Sequence, residues 1–460
     1  MTYQSVNPYD GKILATFTEF SGQELESALA RAAGTALIWR DWSFSQRAAV
    51  VAKAALILSE NSDEYARLIT LEMGKLIEQA RGEIKLSADI LSYYAQHAEQ
   101  FLLPELLQPV TGSARVESFP LGVLLGIQPW NFPYYQLARF AAPNIMAGNV
   151  VMVKHAAGVP QCAMAFEKLW QDAGAPAGVY TNLIIAHQQV NNLIDDPRIK
   201  GIALTGSVEA GRLVAERAGK NLKKTTMELG GSDAFIVLAD ADLDAAVKWA
   251  VAAKMNNCGQ SCVAAKRFIV VEPVADRFLE QFCATLKALK PGDPMSRITT
   301  LGPMSSEGAL LKLVDQVEKA VAHGATVLLG GERISGGGAF MAPTVLTDIT
   351  PSNPAYFEEF FGPVALYFRV KDTEQALALA NDSPFGLGGA IFTRDEAAGQ
   401  QLARRLDAGM VFVNNPTGST CDLPFGGIKN SGYGRELSRA GIQEFVNKKL
   451  VRVAPADAPA

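Results

Sequence analysis

From Val123 onward, short apolar runs alternate with helix-like segments, and this constrains the fold more than any other feature of the chain. One series comprises Val123-Leu124-Leu125-Gly126-Ile127, Val150-Val151-Met152-Val153, Asn182 to Ile185 and Gly201 to Leu204. A second begins at Ala234-Phe235-Ile236-Val237-Leu238 and runs through Phe268 to Val271, Val364 to Phe368 and Met410 to Val413. Uninterrupted apolar runs belong to strands buried on both faces, which are parallel strands joined by crossover helices. The pattern therefore predicts two α/β domains in tandem. The first hundred residues read as helices: Ser21 and Glu24 form a capping box before an Ala/Leu-rich run, and apolar periodicity covers Ile77 to Leu102. Arg115 to Phe119 alternates polar and apolar side chains before Pro120, as an exposed ribbon outside both domains would.

A chain of 460 residues with 48% apolar and 19% charged side chains is rich in core-forming residues, which excludes disorder over most of its length. The net charge of -5, with no long block of one sign, makes nucleic acid and anionic membrane poor partners. Met1 to Lys12 has neither a basic nor an apolar signal region, and no apolar run reaches the roughly 18 to 20 residues of a membrane span, so a cytoplasmic location is expected. The five cysteines (162, 258, 262, 283 and 421) are too scattered for a disulfide framework and read as thiols. The four histidines (97, 155, 187 and 323) lie far apart, and no metal site is expected. The glycine cluster Gly330 to Gly338 reads as a surface turn and the Pro/Ala tail Ala454 to Ala460 as a frayed end.

Four segments carry residues suited to chemistry. Asn257-Cys258-Gly259-Gln260-Ser261-Cys262 follows an amphipathic helix (Asp242 to Asn256) in a small polar loop where a cysteine can be reached. A cysteine is otherwise a small buried hydrophobe, and a nucleophile needs a base or positive field beside it. Met227-Glu228-Leu229-Gly230-Gly231-Ser232 closes one strand series and opens the next, placing a carboxylate at a strand end, where open sheets bind ligands. There it is either a general base or a surface turn acid. Leu204-Thr205-Gly206-Ser207 runs from a strand into a helix that Ser207 would cap, and its backbone amides suit a pyrophosphate although the spacing is not G-x-G-x-x-G. Pro129-Trp130-Asn131-Phe132-Pro133 holds an amide in a stiff turn, either an oxyanion donor or a rigid corner.

In order and spacing these segments resemble the motifs of the aldehyde dehydrogenase superfamily. PWNFP at 129, LTGS at 204, ELGGS at 228, NCGQSC ending at Cys262, EEFFGPV at 358 and PFGGIKNSGYGRE at 424 cover nearly the whole chain. The resemblance implies two Rossmann-type open parallel-sheet domains and a small β-ribbon for oligomerisation. The dinucleotide-binding domain would take 1–110 and 121–229, the catalytic domain 230–436, and the ribbon and tail 111–120 and 437–460, in a homodimer or homotetramer. It implies Cys262 as the nucleophile that forms a thiohemiacetal and then a thioester, Glu228 as the base, and Asn131 with the Cys262 N–H as the oxyanion hole. NAD or NADP would be held by Lys154 and Glu359 on the riboses, Gly206 and Ser207 at the pyrophosphate, and Trp130, Leu229 and Phe361 around the two ends.

Members that prefer NAD often carry Glu three residues after the ribose lysine; here that residue is Ala157, so nothing repels a 2′-phosphate. Arg139, two turns beyond Asn131, resembles the arginine that holds the distal carboxylate in succinate-semialdehyde dehydrogenases, and the stretches around Lys154 and Cys262 look like a bacterial branch of that group. A second arginine found six residues before the cysteine in better-known members is Asn256 here. A broad aliphatic or aromatic aldehyde dehydrogenase is the alternative within the class. Glu228 argues against the coenzyme A-acylating branch, and intact Cys262, Glu228 and Asn131 argue against a catalytically silent binding relative.

Overall fold

In the computed structural model, which describes residues 2–456, each strand series becomes one parallel sheet. The first sheet is ordered Tyr180–Asn182, Val150–His155, Val123–Gln128, Ile199–Thr205, Lys224–Glu228, with the short strand Gly432–Tyr433 added antiparallel at the far edge. Numbered along the chain, its five parallel strands run 3-2-1-4-5. The order reverses between Val123–Gln128 and Ile199–Thr205, which opens a crevice beyond their carboxyl ends. Residues 432–433, assigned from sequence to the second domain, thus complete the first sheet.

The second sheet is ordered Thr326–Leu329, Thr344–Thr347, Val364–Val370, Ala265–Val271, Asp233–Val237, Gly388–Phe392, Met410–Val413, parallel except for its first strand. The glycine cluster lies in the connection between its antiparallel pair. Each sheet has its own apolar core. Helices Gly22–Trp39, Phe44–Glu60, Ser62–Met73 and Ile77–Phe101 cover the first sheet's domain; Ser21 caps the first through the expected box, and Trp39 Nε1 donates to Ile145 O at 3.0 Å.

Two features differ from the sequence reading. The helical reading of the first hundred residues passes over an antiparallel hairpin, Thr2–Val6 with Ile13–Thr18; its strands are short, and it is anchored by the Tyr3 O–H bond to Ile185 O at 2.6 Å and by Ser5 Oγ, which accepts from Gln161 Nε2 at 3.1 Å. The run Asn182 to Ile185 forms a strand only over Tyr180–Asn182, because the chain turns into helix His187–Asp195 after Leu183 N makes the last ladder bond to Val153 O. The ribbon residues 115–119 lie in Ser113–Pro120, which pairs antiparallel with Val446–Val453 on one side and Glu105–Leu107 on the other. The described tail ends at residue 456, and the rest of Ala454 to Ala460 lies outside the described residues.

Candidate active site

The two sheets meet with opposite polarity. Lys224–Glu228 ends at the carboxyl edge of the first sheet, and the chain crosses through Leu229-Gly230-Gly231-Ser232 to the amino edge of the second, where Asp233–Val237 starts. Cys262 precedes Ala265–Val271 at that same amino edge. Asn131 follows Val123–Gln128 at the facing carboxyl edge. Residues from both sheets therefore converge on one seam.

Close approach at this seam explains the paired glycines. A Cβ on Gly230 would lie 2.5 Å from Glu359 Oε2, and one on Gly231 would lie 2.5 Å from Cys262 O. Only glycine lets the crossing strand pass both groups.

The cysteine loop is held under backbone strain. Asn257, Cys258 and Gly259 are all left-handed (φ 52°, 54° and 74°), which for Cys258 costs about 1–2 kcal/mol. Hydrogen bonds offset this. Asn257 Nδ2 donates to Asn131 O at 2.8 Å and to Gln260 O at 3.1 Å, Asn257 N donates to Gln79 Oε1 at 3.0 Å, and Gln260 Oε1 accepts from Ser305 N at 2.8 Å. The buried Asn131 amide donates from Nδ2 to Gln260 O at 3.0 Å, which uses one of its two N–H groups and fixes the direction of the other.

Two further residues brace Asn131. Lys75, buried in an ion pair with Glu83, donates to Asn131 O at 2.9 Å and sits 3.6 Å over the Phe132 ring. Glu83 Oε1 accepts from Tyr134 N at 2.8 Å and Tyr135 N at 3.2 Å, capping helix Pro133–Met146.

Glu228 is buried, and neither of its carboxyl oxygens has a hydrogen-bond partner. Burial pushes its pKa well above the usual carboxylate range, with the Arg139 charge opposing that shift. Cys262 is partly buried, and desolvation raises its thiol to about 12 while the charges of Arg139 and Lys266 pull it down. The Cys262 thiol therefore holds its proton in the resting site at neutral pH, and Glu228 keeps its proton to higher pH than an ordinary carboxyl. Cys258 is fully buried and also pushed up to about 12, an inert thiol at neutral pH; all five cysteines are free.

Arg139 is buried as well. It forms an ion pair with Glu436, donates from Nη1 to Tyr135 Oη and from Nη2 to Thr205 Oγ1, both at 3.1 Å, and the Tyr135 hydroxyl bonds Ser419 Oγ at 2.7 Å. The carboxylate it holds here is therefore a protein one, and each terminal nitrogen keeps one further N–H.

The candidate cofactor residues stand at or just beyond strand ends at the carboxyl edge of the first sheet or, for Glu359 and Phe361, reach the seam from the second domain. Lys154 Nζ is buried 5.7 Å from the Tyr3 ring, its pKa lowered by desolvation, and Ala157 is exposed beyond it. Ser207 caps helix Val208–Lys220 by accepting from Ala210 N at 3.2 Å. The Gly206 N–H is committed to Glu228 O at 3.0 Å, so an anion at this turn would meet the amides of Ser207 and the first helical turn. Leu229 packs against Gly211, where a Cβ would lie 2.6 Å from it. Trp130 and Phe361 meet edge to face at 5.8 Å, and Glu359 Oε1 accepts from Gly231 N at 3.1 Å. A buried ammonium with no acid at 157, a capped helix start and an aromatic pair fit a dinucleotide with or without a 2′-phosphate.

Motif recognition assigned no role to Lys75, Glu83, Tyr135, Ser419, Glu436 or Lys266. Lys266 and Glu436 stand inside or beside recognised motifs, whereas Lys75 and Glu83 had no chemical signal beyond a charged pair in a helical region.

Two facing sheets that bring an amide, a cysteine and a buried carboxyl to one seam are what the six motifs imply for an aldehyde-oxidising fold. The chain belongs to the aldehyde dehydrogenase family, whose family model matches residues 1–451. It is 50% identical to a succinate-semialdehyde dehydrogenase, NADP(+), of Deinococcus radiodurans, over 98% of this chain and 95% of the relative. It is 46% identical to the succinate semialdehyde dehydrogenase, NAD(P)+, Sad of Escherichia coli, over 97% of each. The crystal structure of a succinic semialdehyde dehydrogenase from Streptococcus pyogenes with NADP+ superposes with a TM-score of 0.97 at 44% identity, covering 98% of this chain and 100% of that one.

Proposed function

We propose that this protein oxidises succinate semialdehyde to succinate with NADP or NAD, through a thioester on Cys262. The observation that carries the substrate choice is the buried Arg139 guanidinium, whose Glu436 partner fixes its Nε edge while the Nη edge, Tyr135 and Ser419 remain as a receptor for a second carboxylate. The names of the similar proteins support the same choice.

The chemistry follows from the proton positions. Ionised Glu228 takes the Cys262 thiol proton and passes it on to solvent, the thiolate attacks the aldehyde carbon, and the developing oxyanion takes hydrogen bonds from the second Asn131 N–H and the Cys262 N–H. A nicotinamide dinucleotide would supply the hydride acceptor; Glu359, Phe361 and Trp130 would hold one end of it and Lys154, Ser207 and Leu229 the other. Glu228, once ionised, takes a proton from the water that attacks the thioester, and the cysteine leaves as thiolate. The absence of an acid at 157 beside Lys154 favours NADP.

We infer a homodimer or dimer of dimers from the three-stranded sheet. It leaves two open edges and exposes Leu106, Leu107, Leu450 and Val453.

The test is a panel of aldehydes, each assayed with NAD and with NADP. Saturation at the lowest concentration with succinate semialdehyde is expected; equal kcat/KM for butanal and the semialdehyde would leave a general aldehyde dehydrogenase.

A further inference from the structure

Lys266 is fully buried at the start of strand Ala265–Val271. Its ammonium donates to Ser261 O at 2.7 Å and to Cys262 O at 2.8 Å, and forms an ion pair with Glu359 Oε1 at 3.1 Å. The other buried lysine nearby, Lys254, has no hydrogen-bond partner, and burial together with the Lys266 charge pushes its amine well below the usual range. Lys266 is thus the working cation behind the cysteine loop.

The three acceptors have different jobs. The carbonyl of Ser261 and the N–H of Cys262 belong to one planar peptide, so holding the oxygen fixes the direction of the N–H. A cation on that oxygen also polarises the amide and strengthens its N–H as a donor. The third acceptor, Glu359, is the carboxylate read above as the nicotinamide-ribose contact. We propose that Lys266 is a positioning residue that couples occupation of Glu359 by the cofactor ribose to the strength of the oxyanion-hole peptide Ser261–Cys262. When ribose hydroxyls engage Glu359, less of its charge is spent on the ammonium, and the pull on the two carbonyls increases. This rests on the reading of Cys262 as nucleophile and Glu359 as ribose ligand.

The charged groups acting on the Cys262 thiol are Arg139 and Lys266, which favour its ionisation, and Glu228 and Glu359, which oppose it. The test has two readouts, each with and without NADP: alkylation of Cys262 by iodoacetamide across a pH series, mapped to the peptide by mass spectrometry, reads the Lys266 charge at the thiol, and steady-state kinetics of activated-ester hydrolysis read the oxyanion-hole peptide. In wild type, NADP should change the alkylation rate. In Lys266→Met the alkylation limb should move to higher pH, the response to NADP should vanish, and kcat should fall about tenfold, a fraction of the 10²–10³ for losing a whole oxyanion donor. Glu359→Gln should abolish the same response, and Lys266→Met/Glu359→Gln should be no worse than the poorer single variant. If Lys266→Met fails to fold, Lys266→Arg, which keeps the charge, should retain the NADP response that Glu359→Gln loses. A wild-type pH profile and kcat in Lys266→Met, additive losses in the double variant, or loss of the response in Lys266→Arg would overturn the coupling. Wild-type alkylation at a peptide other than that of Cys262 would instead overturn the catalytic reading.

Discussion

The Arg139 guanidinium is buried against the Glu436 carboxylate, with the rings of Tyr135 and Phe425 4.9 and 4.6 Å from it. Removing one member strands the other charge in the interior, at about 3–5 kcal/mol. Arg139→Ala should therefore lower stability by that order in denaturant unfolding, and Glu436→Gln should do so to a lesser degree. Among the molecules that remain folded, Arg139→Ala should cost a further ~2 to 4 kcal/mol in kcat/KM for succinate semialdehyde and little for butanal, which lacks the carboxylate. Equal losses for both substrates would make Arg139 a partner of Glu436 alone.

Glu228 gives a pH signature. Burial raises its pKa, so it keeps its proton to higher pH, and thioester hydrolysis should rise along an alkaline-going limb as the carboxyl ionises. Glu228→Gln should remove this limb and lower kcat about 10²–10⁴-fold, with the aldehyde KM nearly unchanged. Since an ionised Glu228 opposes ionisation of Cys262, the same variant should shift thiol alkylation to lower pH. Alkylation that moves the other way, or an intact hydrolysis limb, would remove Glu228 from the base role.

What sequence made legible, and what it did not, divides by the range of the interaction. Strands such as Val123–Gln128 and Asp233–Val237 announce themselves locally, because burial on both faces demands an unbroken apolar run. Ser21 and Ser207 announce helix starts for the same local reason. The ELGGS glycines were visible as a motif, but their cause, the approach of Glu359 and Cys262 from over a hundred and about thirty residues downstream, exists only in the fold. Glu436 likewise could not be matched to Arg139 from spacing, since their pairing depends on the chain returning to the first sheet through Gly432–Tyr433.

Asp233, at the start of the second sheet, accepts from Gly388 N at 3.1 Å, yet burial pushes its pKa up to about 6, with Lys266 opposing the shift. The folded value lies above the ordinary aspartate value of 3.8, so its contribution to stability is fully present below pH ~4 and is lost as pH rises through about 6. Asp233→Asn keeps an acceptor for Gly388 and removes this titration. The stability of wild type relative to the variant should fall by about 3 kcal/mol between pH 4 and 8, read from denaturant midpoints. A difference that stays constant with pH would show that folding leaves the Asp233 pKa unchanged.

The Lys75–Glu83 pair offers the sharpest separation of a positioning role from a general structural one. Lys75 holds the Asn131 carbonyl, and Glu83 holds the first amides of helix Pro133–Met146, so together they set where the Asn131 side chain stands. Burial lowers the Lys75 pKa and the Glu83 charge opposes it, so in Glu83→Gln the lysine tends to lose its proton and the brace loosens at both ends. A displaced oxyanion donor slows every reaction that builds an oxyanion, and a misplacement of about 1 Å costs on the order of 10²-fold. Dehydrogenation and hydrolysis of an activated ester should therefore fall together in Glu83→Gln and in Lys75→Met. Alkylation of Cys262 by iodoacetamide forms no oxyanion, and its rate should stay near that of wild type. If alkylation drops in step with the other two, the pair supports the cysteine loop as a whole, through Asn257 and its bond to Asn131 O, and the specific brace on the oxyanion amide is wrong.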